Sequence, residues 1–160
     1  MSKVDYDVTR QMHEDLMSAY CSVSDKVWYQ QSAYERAVKC PAPRYYVSAK
    51  QAYQVLSKMT RGDMSEVNKM RDARRRMYLS LFEKVLELSD KRQFFGKSLW
   101  YIIPFAVNSP APEFFMSWET IRRIRRWIKQ KKFDDEGKVA VKIGFRERAY
   151  EKLKASRARV

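Results

Sequence analysis

The chain has 160 residues, 45% of them hydrophobic and 32% charged, with a formal net charge of +14. That length fits one domain able to bury a core, and the absence of any run of about 18 apolar residues excludes a helix that crosses a bilayer. So large a positive excess goes beyond what solubility needs and points to a polyanionic partner, nucleic acid ahead of a membrane surface.

The start, MSKVDYDVTR, has acids among its first residues and no apolar core of a signal peptide, so a cytoplasmic setting is expected. Cys21 and Cys40 are the only cysteines, too few to close a zinc site without paired histidines, and are expected reduced. Four glycines, with many Met, Leu, Lys, Arg and Gln, argue for an all-α chain.

From Asp5 to Val38 neither proline nor glycine occurs, and Val8, Met12, Leu16, Tyr20, Val23, Val27, Tyr34 and Val38 recur at helical spacing. This predicts one long helix or two in tandem, with a break around Ser22 to Asp25. A second helix is expected from Ala49 to Met59, ended by the turn Arg61-Gly62-Asp63. A third is expected from Ser65 to Ser89 on the stripe Met70, Ala73, Met77, Leu81, Val85 and Leu88. The segment Leu99 to Val107 is the most apolar and reads as a short buried helix, with Pro104 as a kink or stop. After Ser117 comes a helix with Ile121, Ile124 and Ile128 on one side. Residues 133–160 read as a basic extension beyond a 1–132 helical domain, with Val139 to Ile143 a short strand or extended arm and Phe145 to Ala155 a last helix.

One element occurs twice. Pro41-Ala42-Pro43-Arg44-Tyr45-Tyr46-Val47-Ser48 and Pro110-Ala111-Pro112-Glu113-Phe114-Phe115-Met116-Ser117 stand 69 positions apart and share a proline bracket, two aromatics, one apolar residue and a serine. The prolines remove backbone donors and push the residues before them out of the α region, so no helix runs through either copy. Each serine is then a helix N-cap, Ser48 forming a capping box with Gln51, while Glu119 suits the first turn after Ser117. The plain reading is an elbow into a helix; a peptide- or base-stacking surface is the sharper one.

Charge is unevenly placed along the chain. Residues 1–40 carry 5 basic and 6 acidic groups, whereas residues 91–132 carry 10 and 2. Most of the latter excess belongs to Arg122, Arg123, Arg125, Arg126, Lys129, Lys131 and Lys132. At about 100° per residue, Arg122, Arg125, Arg126 and Lys129 are expected opposite the isoleucines, with Arg123, Lys131 and Lys132 at the border or beyond. Arg71, Arg74, Arg75 and Arg76 form a second basic run. Clustered arginines suit bidentate phosphate or guanine contacts, so DNA or RNA is the expected partner. An acidic protein surface or another copy of the chain is the competing partner. A helix-turn-helix built from the Ala49 and Ser65 helices would bring the arginine run to phosphate.

Residues for chemistry are sparse. His13 stands alone on the polar side of its helix, and Glu83 and Glu87 with Lys84 and Lys91 read as a surface ion-pair network. No nucleophile, phosphate-loop or metal-ligand pattern occurs, so neither catalysis nor a cofactor is expected. Arg61-Gly62-Asp63 reads as a turn, not an adhesion motif.

With the two elbows, the Arg61-Gly62-Asp63 turn and the run Arg74-Arg75-Arg76-Met77-Tyr78 in view, residues 40–130 resemble a loose set of short, basic, helical proteins of phages and mobile elements of gut bacteria. In these a proline, aromatic-aromatic-apolar, Ser/Thr element opens a helix twice. The resemblance implies an accessory protein of such an element and carries over no functional residue. The expectation is a single helical domain of five or six helices with two related elbow-plus-helix units about a pseudo-dyad. Its expected function is non-enzymatic nucleic-acid binding in the host cytoplasm; the alternative is a structural or assembly component of a phage particle.

Overall fold

A computed structural model describes residues 3–130, with side-chain environments from residue 8 onward. The element order is α1 (Lys3–Ser24), α2 (Gln30–Val38), α3 (Ala49–Thr60), α4 (Ser65–Asn68), α5 (Asp72–Ser89), a 3-10 turn (Arg92–Phe94), α6 (Leu99–Val107) and α7 (residues 118–130). The described chain is all-α, and more finely divided than five or six helices. The strand or arm at 139–143 and the last helix lie outside the described residues, as do Lys131 and Lys132. The chain forms two compact units, residues 1–122 and 123–160; of the second, only 123–130 are described, as the continuation of α7.

Helix α1 ends at Ser24 and α2 starts at Gln30, with Tyr29 extended as its N-cap. The break falls just after the expected Ser22 to Asp25. α1 packs on α2, α5 on α6, and α3 on α6. Leu16, Leu56, Leu81, Ile103 and Ile121 are fully buried, and each aliphatic side chain so removed from water stabilises the fold by about 1.5–3 kcal/mol.

The expected helix from Ser65 to Ser89 is two helices. Met70 N–H turns back to Val67 O at 3.1 Å, closing α4, and Arg71 is extended (φ −61, ψ 149) as the N-cap of α5. Asp72 then occupies the first turn, where a carboxylate opposes the helix dipole. A stripe at three-and-four spacing persists through such a change of axis, which is why the periodicity hid it. α4 is held by Asp63, whose carboxylate accepts from the Ser65 N–H (3.0 Å) and hydroxyl (2.6 Å). Those two hydrogen bonds hold the Asp63 carboxyl below its ordinary range. Gly62 supplies the positive φ of 83° at the α3 terminus.

Helix α6 has the expected bounds and excludes the stop at Pro104: the helix runs three residues further, and Asn108 donates to Pro104 O through its backbone (3.2 Å) and its side chain (2.9 Å). It is not buried all round, since Trp100, Tyr101 and Phe105 are about half exposed. Ser98 caps its start, accepting from Tyr101 N–H, and Gly96 (φ 71°) lets the chain turn into it.

The two proline elbows meet each other. Ala42 N–H donates to Ala111 O at 3.0 Å and Ala111 N–H donates to Ala42 O at 2.9 Å, an isolated antiparallel bridge. Tyr45 N–H donates to Val107 O (2.9 Å) and Phe114 N–H donates to Val38 O (3.0 Å). The rings stack in crossed pairs, Tyr45 on Phe115 (6.1 Å between centroids) and Tyr46 on Phe114 (5.9 Å). The prolines cannot donate, so the alanine between them carries the one amide the bracket can offer to a partner strand.

The first elbow adds hydroxyl anchors that the second lacks. Tyr46 donates to Asp15 of α1 at 2.6 Å, and Tyr45 shares a hydrogen bond with Ser80 of α5 at 2.8 Å. Burial first, then the bond to Asp15 and its charge, hold the Tyr46 phenol far above its ordinary range. In the second elbow Phe115 sits at φ 52°, a left-handed conformation costing a residue with a Cβ roughly 1–2 kcal/mol.

Candidate nucleic-acid interface

α7 is launched by the second elbow. Ala111 is fixed by the bridge, Phe114 is buried against Tyr46, and Ser117 turns the chain, its carbonyl accepting from Thr120 N–H (3.1 Å) and its hydroxyl meeting the Thr120 hydroxyl (3.1 Å). In the first elbow Ser48 Oγ accepts from Gln51 N–H at 3.2 Å, the backbone half of the expected capping box. Ile121, fully buried, then pins the first turn of α7.

Setting Ile121 at 0° and stepping about 100° per residue, Lys129, Arg122, Arg126 and Arg123 fall within an arc from about 80° to about 200°. All four are exposed. Arg125 falls near 40°, beside Ile121 and Ile128, and is half-buried like Ile124 and Ile128. The expected membership of the face is therefore corrected: Arg125 leaves it and Arg123 joins it. Arg125 occupies the position that Leu56, fully buried, holds in α3 counted from Ser48.

The second basic run divides by geometry. Arg76 is held by two carboxylates, Asp72 at 3.0 Å one turn before it and Glu113 of the second elbow. Its charge ties α5 to that elbow, so of the four arginines of this run it is the one with carboxylate partners among the described residues. Arg74 lies over the ring of buried Tyr78, 5.8 Å from its centroid, while Arg71, at the N-cap, and Arg75 are exposed. α4 is four residues long, a single turn that cannot serve as the recognition helix of a helix-turn-helix with α3.

His13 is half-buried, not on a solvated face, and burial lowers its pKa below the ordinary value. Lys84 pairs with Glu87 at 3.3 Å, and both line a hollow of ≈ 380 Å³ with Glu83, Tyr45, Ser80, Pro110 and Pro112. Among the described residues no three His, Cys, Asp or Glu side chains gather as a metal would require, and no helix is long and apolar enough to cross a membrane.

A feature missed in the sequence is the aromatic band on the first unit. Trp100 meets Tyr53 of α3 edge to face (5.1 Å), Tyr101 meets Phe105 (5.6 Å), and Phe94 braces both from the 3-10 turn at 6.3 and 5.2 Å. The signal that could have found it is helical spacing: Trp100, Tyr101 and Phe105 span about 140°, too wide an arc for one buried stripe to cover alongside Ile102, Ile103, Ala106 and Val107. Neither a protein-family model, nor a curated protein, nor a solved structure matches the chain.

Proposed function

We infer that the chain is a non-enzymatic nucleic-acid-binding accessory protein of a phage or mobile element, which neutralises phosphates through Arg122, Arg123, Arg126 and Lys129. The observation that carries this reading is the exposure of four cations within one arc of α7, on a chain whose formal charge is +14. Guanidinium groups in such a row suit phosphate oxygens, and the affinity they give falls steeply with salt. Arg71 and Arg75 add exposed charge to the same molecule.

The reading includes two related elbow-plus-helix units about a pseudo-dyad. It is supported by the spacing of the contacts: adding or subtracting 69 converts Tyr45–Val107 into Phe114–Val38, Tyr45–Phe115 into Phe114–Tyr46, and returns Ala42–Ala111 to itself. α2 and α6 have bounds displaced by the same 69 residues. The unit repeated is helix, short helix, elbow, helix.

The alternative, an assembly component of a phage particle, is favoured by one observation. Trp28 and Tyr29, between α1 and α2, are 99% and 77% exposed, as residues awaiting a protein partner would be. Titration with random-sequence duplex DNA at two salt concentrations separates the readings. Salt-sensitive binding lost in Arg122→Glu with Arg126→Glu supports the first; a defined oligomer without DNA affinity supports the second.

A further inference from the structure

We propose that the aromatic band formed by α6 and Tyr53 is a stacking platform for unpaired bases, so that the nucleic acid bound is single-stranded. This rests on the nucleic-acid reading above and narrows it.

Trp100, Tyr101 and Phe105 are 53%, 46% and 49% exposed, and Phe95, next in sequence to Phe94, is 66% exposed. Their placement is held from beneath. Tyr53 meets Trp100 at an interplanar angle of 89°, so at least one face of the indole is left open by this contact whichever ring presents its edge. Phe94, itself buried, sets Tyr101 and Phe105 side by side, and they meet each other at 43°. Rings fixed in this way lose little rotamer freedom when a base stacks on them.

Charge then selects the occupant. Between Lys91 and Pro112 the sequence has Lys91, Arg92 and Lys97 and no carboxylate. All three cations are exposed, and the Lys97 ammonium lies 5.0 Å from the centroid of the Tyr101 ring. A phosphate taken by Lys97 would stand one nucleotide's reach from the ring, the alternation of cation and aromatic that a single strand needs. A stacked duplex hides its base faces and would meet the cations alone. The corresponding face of α2 carries Gln31, Ser32 and Arg36 in place of Trp100, Tyr101 and Phe105, so the band is not a by-product of the repeated packing.

The test is fluorescence anisotropy with a labelled oligothymidylate of about 20 nucleotides and a duplex of the same length. The intact chain is expected to bind the single strand about tenfold more tightly than the duplex. Trp100→Ala combined with Tyr101→Ala should lose that advantage and leave duplex affinity unchanged; Trp100→Leu, which keeps apolar cover without a π face, should weaken single-strand binding while Trp100→Phe retains most of it. Circular dichroism checks that each variant is folded. Equal affinity for the two probes, or single-strand binding indifferent to Trp100→Leu, overturns the platform while leaving duplex binding by α7 standing. An equilibrium dimer dissolved by Trp100→Leu with no change in single-strand affinity assigns the band to a second copy and likewise overturns it. Absence of binding to both probes removes the nucleic-acid reading itself.

Discussion

α2 and α6 each end on a valine whose carbonyl receives an N–H from the other half's elbow, yet their outer faces have little in common. α2 shows Gln31, Glu35 and Arg36 to solvent where α6 shows Trp100, Pro104 and Phe105. The same holds one helix later: Tyr53, Gln54, Ser57 and Thr60 in α3 stand where α7 has Arg122, Arg123, Arg126 and Lys129. What the halves share lies at the seam of bridge, carbonyls and stacked rings, and what they do not share lies outside. Packing restricts the first set and leaves the second free to vary, and the proposed nucleic-acid contacts are drawn from the second set.

The largest loss of stability is expected at the seam. Phe114→Ala removes a buried ring and its stacking on Tyr46, and is expected to cost about 3–5 kcal/mol in urea unfolding. A similar truncation on the outer face, Phe105→Ala, should cost well under half as much, since that side chain is already half exposed. Equal losses at the two positions would contradict a shared interior behind differing exteriors.

A smaller effect is expected at Tyr78. It is fully buried in α5, and among the described residues its hydroxyl has no hydrogen-bond partner. Tyr78→Phe removes a desolvated polar atom while keeping the ring under Arg74, and should raise stability by about 1 kcal/mol in the same unfolding experiment.

The smallest effect is at His13, whose counterpart 69 residues on is Phe82. Burial lowers the folded-state pKa of His13, so the unfolded chain binds the proton more readily. The histidine's contribution is whole above the unfolded value of about 6.5 and is lost as the pH falls below it. Thermal melts between about pH 7.5 and about pH 5.5 should show a fall in Tm that is reduced in His13→Phe.

Much of this organisation is legible in the residues themselves. Proline brackets, the serine caps and three-and-four periodicity locate α1, α2, α3, α6 and the start of α7, because each is a local signal. The Ala42–Ala111 bridge and the crossed rings are not local; a repeated motif announces two like elements without saying that they touch. The break at Lys69 to Arg71 escaped because an apolar stripe passes through a change of axis. Arg125 is expected opposite the isoleucines, yet four steps of about 100° from Ile121 bring it back to within about 40° of that residue. The pairing of Arg76 with Glu113, 37 residues away, is one that no helical pattern reveals.

The central claim is tested most directly by the salt dependence of DNA affinity. For four phosphate contacts, log K against log salt is expected to fall with a slope of about −3 to −4, and Arg122→Glu with Arg126→Glu should weaken the affinity and bring the slope about 2 closer to zero. The same measurement on Gln51→Glu with Gln54→Glu, on the exposed side of α3, should leave the slope as it was. A slope untouched by the α7 pair, or reduced as much by the α3 pair, would contradict the assignment of phosphate binding to α7.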